Sequence, residues 1–358
     1  MVRKFNTIHF VYALPSVNNK KKFFNRVRQK LRWRVNILDE FNWPNPIPAP
    51  LSITYNLISA LRPLGNLKVY DIADTQDIIL GENDIFIGHP WPDMKTKSPI
   101  TNEWDSFDPQ QITNKVILKY PMDKRVYAIS PFNFDDGQMA WAFPLIEKVQ
   151  TYIGICGDIW SDNFDAYPGK NHFNKFIHVN MAIDMKQYSF IKKDFNPPGL
   201  RRLLYIGRAS EEKGLLQMQT LPKVYPKFNG ATLGCIIEGW HCLQEWGTLD
   251  DDFMKKVADS YDILISFSKM DAQATTVLEG MSRGLIVACT KETGYMHPSI
   301  FSLSVDNVNK NMDVFNNLQQ LENDTLIKIQ EQNLHLLKTK YNWGVFTNRI
   351  HEILTSLN

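Results

Sequence analysis

Short apolar runs alternate along the chain with longer segments in which apolar residues recur every three or four positions. In the first half, runs of strand length occupy residues 7–14, 68–72, 84–88, 116–119 and 152–156. Residues 53–61 have the helical period instead, with Ile53, Leu57 and Leu61 on one face. Alternating strands and helices predict a parallel sheet that is covered by helices on both faces.

A stretch with little periodicity, residues 186–199, interrupts this pattern and contains the chain breaker Asn196-Pro197-Pro198-Gly199. Strand-length apolar runs return at residues 203–206, 231–237, 261–267 and 285–289. The simplest interpretation is two α/β domains, an N-terminal one over residues 1–190 and a C-terminal one over residues 191–358. The last helix, at about residues 337–356, is a candidate to pack back on the N-terminal domain.

Composition narrows the class of protein without identifying it. Hydrophobic residues make up 44% of the 358 residues and charged residues 22%, and the net charge is +2, as in an ordinary globular chain. No apolar run approaches the roughly 18 residues of a membrane-spanning helix. The four cysteines have neither zinc spacing nor a disulfide pattern. We therefore expect a cytoplasmic protein that is soluble or peripherally membrane-associated.

Ligands of parallel sheets bind where strands lead into helices, so we expect the functional side chains at these junctions. After the run at 203–206, Gly207 allows close approach of the backbone to a ligand. Arg208 offers a planar fork for phosphate oxygens, and Lys213 adds a second positive charge. The alternative is that both cations are solvated and paired with Glu211 and Glu212.

A second junction follows the run at 261–267 and leads into a helix predicted from about Ala274 to Gly284. Small residues at its start leave backbone N–H groups free to meet an anion. Asp271 and Glu279 are eight residues apart, so both can face one ligand. Alternatively, Asp271 caps the helix and Glu279 pairs with Arg283 at i+4.

These motifs together resemble the donor-binding domain of retaining glycosyltransferases of family 4, which have the two-domain GT-B fold. Ser268, Asp271 and Glu279 match the family's paired acidic residues after a strand that ends in Ser. Further resemblances keep the family's order along the chain: Gly207-Arg208 with Lys213-Gly214, Trp246-Gly247-Thr248-Leu249, Tyr341-Asn342-Trp343 in the closing helix, and Met181-Ala182-Ile183-Asp184 before the linker.

The resemblance implies two Rossmann-like domains with parallel sheets that face each other across a cleft. It also implies a hexosyl transfer from a nucleoside-diphosphate sugar, GDP-mannose or otherwise a UDP-hexose, to a glycan or other hydroxyl acceptor. Asp271 would hold sugar hydroxyls, Glu279 would bind the ribose, and Arg208 and Lys213 would neutralise the diphosphate. The other implied donor-binding residues are Gly207, Trp246, Gly247, Thr248, Ala272, Gln273, Ala274, Thr275 and Thr276.

The sequence departs from the family pattern at two loops. Asp271-Ala272-Gln273-Ala274 replaces the usual Glu-Gly-aromatic-Gly, and Pro48-Ala49-Pro50 replaces a glycine pair. Two alternatives therefore stay open: a non-catalytic relative that only binds nucleotide sugars, and a GT-B phosphorylase. No cofactor and no metal are expected, since retaining GT-B enzymes place cationic side chains where a metal would lie.

Two further features complete the prediction. His89 follows the run at 84–88 and resembles a family histidine that faces the sugar, although it could equally well only bind loop backbone. The segment from Lys20 to Arg34 carries eight basic residues and no acidic one. It could dock on an anionic membrane surface or on an acidic or lipid-pyrophosphate acceptor, or it could pack as an ordinary solvated helix. Nucleic acid is the least favoured partner, and a homodimer is compatible with the sequence.

Overall fold

A computed structural model describes residues 5–18, 21–22, 37–45, 47, 49–99, 103–135, 139–187, 191–245 and 251–356. Most of the basic segment at 20–34 lies outside these residues, as do Pro48, Trp246, Gly247 and Thr248. No helix within the described ranges is both long enough and apolar enough to cross a membrane.

The first half of the chain forms a six-stranded parallel sheet in the order β2-β1-β3-β4-β5-β6. Its strands are β1 (Phe5–Tyr12), β2 (Gly65–Asp71), β3 (Ile85–Gly88), β4 (Val126–Pro131), β5 (Thr151–Ile155) and β6 (Phe176–Val179). The strand order reverses between β1 and β3, which opens a crevice at their carboxyl ends.

The second half forms another six-stranded parallel sheet, in the order β12-β11-β10-β7-β8-β9. Its strands are β7 (Leu203–Ile206), β8 (Gly230–Leu233), β9 (His241–Gln244), β10 (Ile263–Ser266), β11 (Ile286–Thr290) and β12 (Phe301–Leu303). Here the reversal lies between β7 and β10, the two strands that precede the predicted motifs. The predicted fold class, two Rossmann-like α/β units, is confirmed.

Helices flank both sheets. In the first half they are α1 (Ala49–Leu61), α2 (Ile112–Lys119), α3 (Phe143–Ile146) and α4 (Asp158–Asp162). In the second half they are α5 (Leu215–Val224), α6 (Asp251–Ser260), α7 (Thr275–Ser282), α8 (Val308–Gln320), α9 (Asn323–Thr339) and α10 (Trp343–Ser356).

One strand prediction was wrong, because residues 116–119 are the last turn of helix α2. The Gln111 side chain caps this helix by accepting a hydrogen bond from the Asn114 backbone N–H at 3.0 Å. Ile112 and Val116 are four residues apart and buried on one face, which is the helical period. A four-residue apolar window is too short to show that period, and the strand lies farther on, at β4.

The chain crosses back to the first half at its end. Helix α9 stops at Thr339, and Tyr341 accepts a hydrogen bond from the backbone N–H of Ile183 at 3.0 Å. Helix α10 then packs against α1 and β6, and His351 bonds the carbonyl oxygen of Ala60 at 2.6 Å. One apolar core consequently runs through both halves of the molecule.

Candidate functional site

The carboxyl ends of the two sheets face each other around a cavity of about 640 Å³. Its walls come from the ends of β1 and β3 on one side and the ends of β7 and β10 on the other. We call it the donor cavity. It is lined by most of the residues singled out in the sequence: His89, Gly207, Arg208, Lys213, Asp271, Ala272, Gln273, Ala274, Thr275 and Thr276.

The strand end at β7 shapes one side of the donor cavity. Gly207 has a φ of 151°, which a side chain would rarely allow. The hydroxyl of Tyr205 donates to the Arg208 carbonyl oxygen at 2.7 Å and so fixes this turn. The Arg208 side chain is 64% exposed and pairs with Glu212 at 3.2 Å, as in the alternative interpretation of this loop. Arg208 is therefore a screened cation at the rim.

Lys213 reaches the interior of the site and forms an ion pair with Asp271. The Lys213 side chain is 24% exposed and the Asp271 side chain 19%, so the pair is only partly screened by water. Asp271 does not cap the following helix, because Ala274 occupies the N-cap position and no side chain caps it. The Asp271 carboxylate and the Lys213 ammonium, for which the family resemblance implies different parts of one ligand, thus contact each other directly.

Helix α7 points its amino terminus at the same cavity. Its N-cap has no side-chain hydrogen bond, so the first backbone N–H groups are left for a ligand. Thr275 and Thr276 from this first turn line the donor cavity. Together with Lys213 they form a wall that favours a bound anion.

Glu279 lies one turn farther along α7, in a narrow cleft of about 80 Å³ that shares Thr275 with the donor cavity. Asp184 and Trp343 form the opposite wall of this cleft. Burial raises the pKa of Glu279 to about 7, and the charge of Arg283 offsets this only in part. Arg283 also donates to Asp251 at 3.3 Å.

His89 lines the donor cavity and also hydrogen-bonds to the backbone. Its Nδ1 bonds the carbonyl oxygen of Ile129 at 3.1 Å, and its ring stacks on Tyr12 at 5.0 Å. Burial lowers the pKa of His89 to about 4, so the ring is neutral at pH 7. Because a carbonyl oxygen only accepts, the proton lies on Nδ1, and Nε2 is an acceptor.

The loop at residues 271–274 is bonded to the first half of the chain as well. The Gln273 side-chain oxygen accepts from the Met181 backbone N–H at 2.5 Å, and its NH₂ group donates to Asn180 at 3.0 Å. The indole of Trp160 donates to the Asp271 carbonyl oxygen at 2.7 Å. Sequence reasoning missed Trp160, which no motif marks, and Asn180, although Asn180 directly precedes the Met181-Ala182-Ile183-Asp184 stretch noted in the sequence.

Among the described residues, no group of three or more His, Cys, Asp or Glu side chains could hold a metal ion. The charged side chains among the described residues that line the donor cavity are those of Arg208, Lys213 and Asp271.

Comparison with solved structures places this fold among those of glycosyltransferases. A sucrose-phosphate synthase from Thermosynechococcus elongatus is similar, with a TM-score of 0.58 and 8% identity over 98% of this chain and 99% of that one. HepE of Anabaena, solved with UDP and glucose, has a TM-score of 0.55 and 11% identity over 98% and 100%. These likenesses establish a shared GT-B fold.

An α-glucosyltransferase in complex with UDP and DNA is also similar, with a TM-score of 0.55 and 12% identity over 98% of this chain and 99% of that one. This chain spans 58% of the matched chain in a GtfA/B complex. No model of a protein family and no curated protein matches the sequence.

Proposed function

We propose that this chain is a retaining glycosyltransferase of the family 4 type, which transfers a hexosyl group from a nucleoside-diphosphate sugar to a hydroxyl acceptor. The observation that carries the proposal is the donor cavity. Lys213 and the uncapped start of α7 meet there at the facing carboxyl ends of two sheets, an arrangement suited to a diphosphate.

In this proposal the donor's diphosphate lies against Lys213 and the first turn of α7. The bond between the anomeric carbon and the diphosphate oxygen breaks, and a bond from the acceptor oxygen forms on the same face. The leaving diphosphate takes the acceptor's proton, so no side chain acts as a nucleophile. Positive groups held in place lower the barrier because negative charge grows on the diphosphate as it leaves.

Asp271 and His89 are proposed to hold the transferred sugar. The Asp271 carboxylate accepts hydrogen bonds from sugar hydroxyls once the diphosphate engages Lys213. The neutral His89 offers Nε2 as a second acceptor on the opposite wall. Glu279 is proposed to accept from the ribose hydroxyls, which places the ribose near the narrow cleft.

A panel of nucleotide sugars tests which base and which sugar the donor carries. UDP-glucose and GDP-mannose are tested first, since two of the similar structures hold UDP and GDP-mannose is common in the family that the sequence resembles. Each donor is incubated alone with the protein, and release of the nucleoside diphosphate is measured. Slow release with one donor is expected, and Lys213→Ala should abolish most of it. Lys223→Ala is the matched control, because Lys223 lies on α5, is 62% exposed, pairs with Glu238 at 3.6 Å and lines neither the donor cavity nor the narrow cleft.

A nucleotide-sugar binding protein without activity is the second candidate. It is favoured by the ion pair between Lys213 and Asp271 and by the bonds that tie the 271–274 loop to the first sheet. Tight calorimetric binding of a donor with no release of diphosphate would support this candidate and contradict the transferase. Sugar release that depends on added phosphate would indicate a phosphorylase instead.

A further inference from the structure

A second cavity, of about 290 Å³, adjoins the donor cavity on the side of the first sheet. The two cavities share His89, Trp91, Pro131 and Ala272. Apart from Ala272, the described residues that line the second cavity all belong to the first half of the chain. A group bound there lies next to the proposed position of the transferred sugar.

The walls of this cavity are aromatic, and we call it the tryptophan cavity. Trp91, Trp104 and Trp141 line it, and each is only partly buried. Met139 adds an adaptable apolar contact. Tryptophan faces in a concave site bind flat, apolar surfaces of a ligand.

The described residues that line the tryptophan cavity carry few polar groups, and these groups are uncharged. The indole N–H of Trp104 is buried without a hydrogen-bond partner among the described residues. Such an orphaned donor is costly unless a ligand oxygen accepts from it. Asn133 already accepts at 3.1 Å from the Asp135 backbone N–H, and its NH₂ group is left to donate. No Lys, Arg, Asp or Glu is among the described lining residues, so the site does not offer a partner for a charged ligand.

The cavity is held in shape by a buried side chain. Asn114 of helix α2 accepts from the Trp91 backbone N–H at 3.3 Å and donates to the Trp91 carbonyl oxygen at 2.8 Å. It also donates to the carbonyl oxygen of Asp108 at 2.7 Å. Lys97 lies 4.8 Å from the centre of the Trp104 ring. The Trp91 backbone and the Trp104 ring thus have partners before a ligand arrives, which reduces the entropy lost on binding.

From these observations we infer that the tryptophan cavity binds the acceptor, and that the acceptor is an uncharged pyranose. A pyranose ring has an apolar C–H face for the tryptophans and hydroxyl groups at its edge for Trp104 and Asn133. A sugar phosphate or an acidic sugar would bring a charge that none of the described lining residues matches. The acceptor role rests on the proposed function, whereas sugar binding by this cavity does not.

Saturation-transfer NMR with simple glycosides tests the inference. The probes are methyl α-glucopyranoside and methyl α-mannopyranoside, with glucose 6-phosphate and phenol for comparison, in the presence of UDP or GDP. We expect at least one glycoside to bind, with the strongest transfer to C–H protons on one face of its ring. Glucose 6-phosphate and phenol should bind more weakly.

Variants connect the signal to the cavity. Trp141→Ala should weaken glycoside binding about tenfold, and Trp141→Phe should keep part of it because a flat ring is retained. Trp104→Phe removes the N–H group and part of the ring surface but keeps a flat aromatic ring, and it should weaken binding roughly 2–10-fold. Trp43→Ala is the control, since Trp43 is another half-buried tryptophan of the first half and lines neither cavity. Thermal unfolding of each variant shows whether it is folded.

Three results would overturn the inference: no glycoside binds, Trp141→Ala binds as well as the parent protein, or phenol or the sugar phosphate binds more tightly than the glycosides. Donor hydrolysis tests the transferase separately. Glycoside binding without hydrolysis of any donor would leave the sugar site standing and reject the transferase. Hydrolysis of a donor without glycoside binding would support the transferase and reject the sugar site.

Discussion

At the scale of single residues, the ion pair of Lys213 and Asp271 determines how an anion is received in the donor cavity. Each group neutralises the charge of the other, and both side chains are partly buried. In the proposed function, a diphosphate that engages Lys213 weakens this pair and frees the Asp271 carboxylate for a sugar hydroxyl. Lys213 would then control when Asp271 can bind the sugar.

Removing the Lys213 ammonium should therefore affect turnover strongly. Lys213→Ala is expected to lower kcat on the order of 10²–10³-fold, and to lower donor affinity less, because charge on the diphosphate grows as the bond breaks. Arg208→Ala should have a smaller effect, since the Arg208 side chain is 64% exposed and its charge is screened. Steady-state kinetics and calorimetry measure the two quantities. Wild-type rate constants in both variants would make both residues ordinary loop cations.

Glu279 gives a prediction about stability and pH. Its pKa in the folded chain, about 7, lies above the ordinary value of 4.5, so the folded state binds this proton more tightly than the unfolded chain does. The free energy of unfolding should fall as pH rises from about 4.5 to 7 and stay lowered above that. Glu279→Gln removes this ionisation. The difference in free energy of unfolding between variant and parent should therefore be roughly 1–3 kcal/mol more favourable to the variant at pH 8 than at pH 4.5.

Urea unfolding at several pH values measures this difference, and the parent protein at the same pH is the control. The same variant tests the ribose assignment, because Gln accepts hydroxyl hydrogen bonds less strongly than a carboxylate. Nucleotide affinity should fall by about 1–3 kcal/mol above pH 7. If the free energy of unfolding depends on pH in the same way in parent and variant, the stability prediction is wrong. Equal nucleotide affinity of the two proteins above pH 7 would contradict the ribose assignment.

At the scale of elements, the loop between β10 and α7 joins the two sheets. Its Ala272 carbonyl oxygen accepts from the Gly157 backbone N–H at 2.8 Å. Gly157 precedes helix α4, and a Cβ atom at this position would overlap the backbone of Gly294. The absence of a side chain at Gly157 is thus what permits the two halves to meet here.

Gly157→Ala should force the two halves apart at this point, since backbone atoms cannot move aside as a flexible side chain can. The expected result is a larger radius of gyration in small-angle X-ray scattering and lower donor turnover, with the helical content unchanged. Gly81→Ala is the control, because a Cβ atom there meets only the Asp84 side chain. An unchanged radius of gyration would show that the 294 loop shifts without opening the interface.

At the scale of the whole molecule, the last helix belongs structurally to the half in which the chain began. Helix α10 buries Phe346, Ile350, Ile353 and Leu354, and it packs against α1 and β6. The two sheets are therefore connected twice, once by the linker after residue 187 and once by the crossing at Tyr341. A movement of one sheet relative to the other must therefore change the backbone at both connections.

Ile350→Ala is expected to weaken the first half of the chain, although the residue is near the carboxyl end. The Ile350 side chain is almost fully buried, so the cavity left behind should cost about 2–4 kcal/mol. Hydrogen exchange should become faster in α1, whereas the strands β10 and β11 of the second sheet keep their protection. Faster exchange confined to the second half would contradict this arrangement.

Sequence reasoning determined the fold class and much of the site because the signals are local. Apolar strand runs and breakers mark β1, β7, β10 and β11 to within a few residues. The end of a parallel strand fixes where the following loop lies, so Gly207, Lys213 and Asp271 could be expected near one cavity. Where the local signal was short, as at residues 116–119, the wrong element was predicted.

Tertiary structure alone decided the contacts between distant parts of the chain. Lys213 and Asp271 are 58 residues apart, and the bond from Trp160 to Asp271 spans 111 residues. The first contact joins loops that follow neighbouring strands of the second sheet, and the other joins the two halves of the molecule. Both depend on side-chain geometry, which a pattern of apolar and polar positions does not contain. The raised pKa of Glu279 and the tryptophan cavity have the same origin, because burial and enclosure are properties of the folded chain and not of any segment.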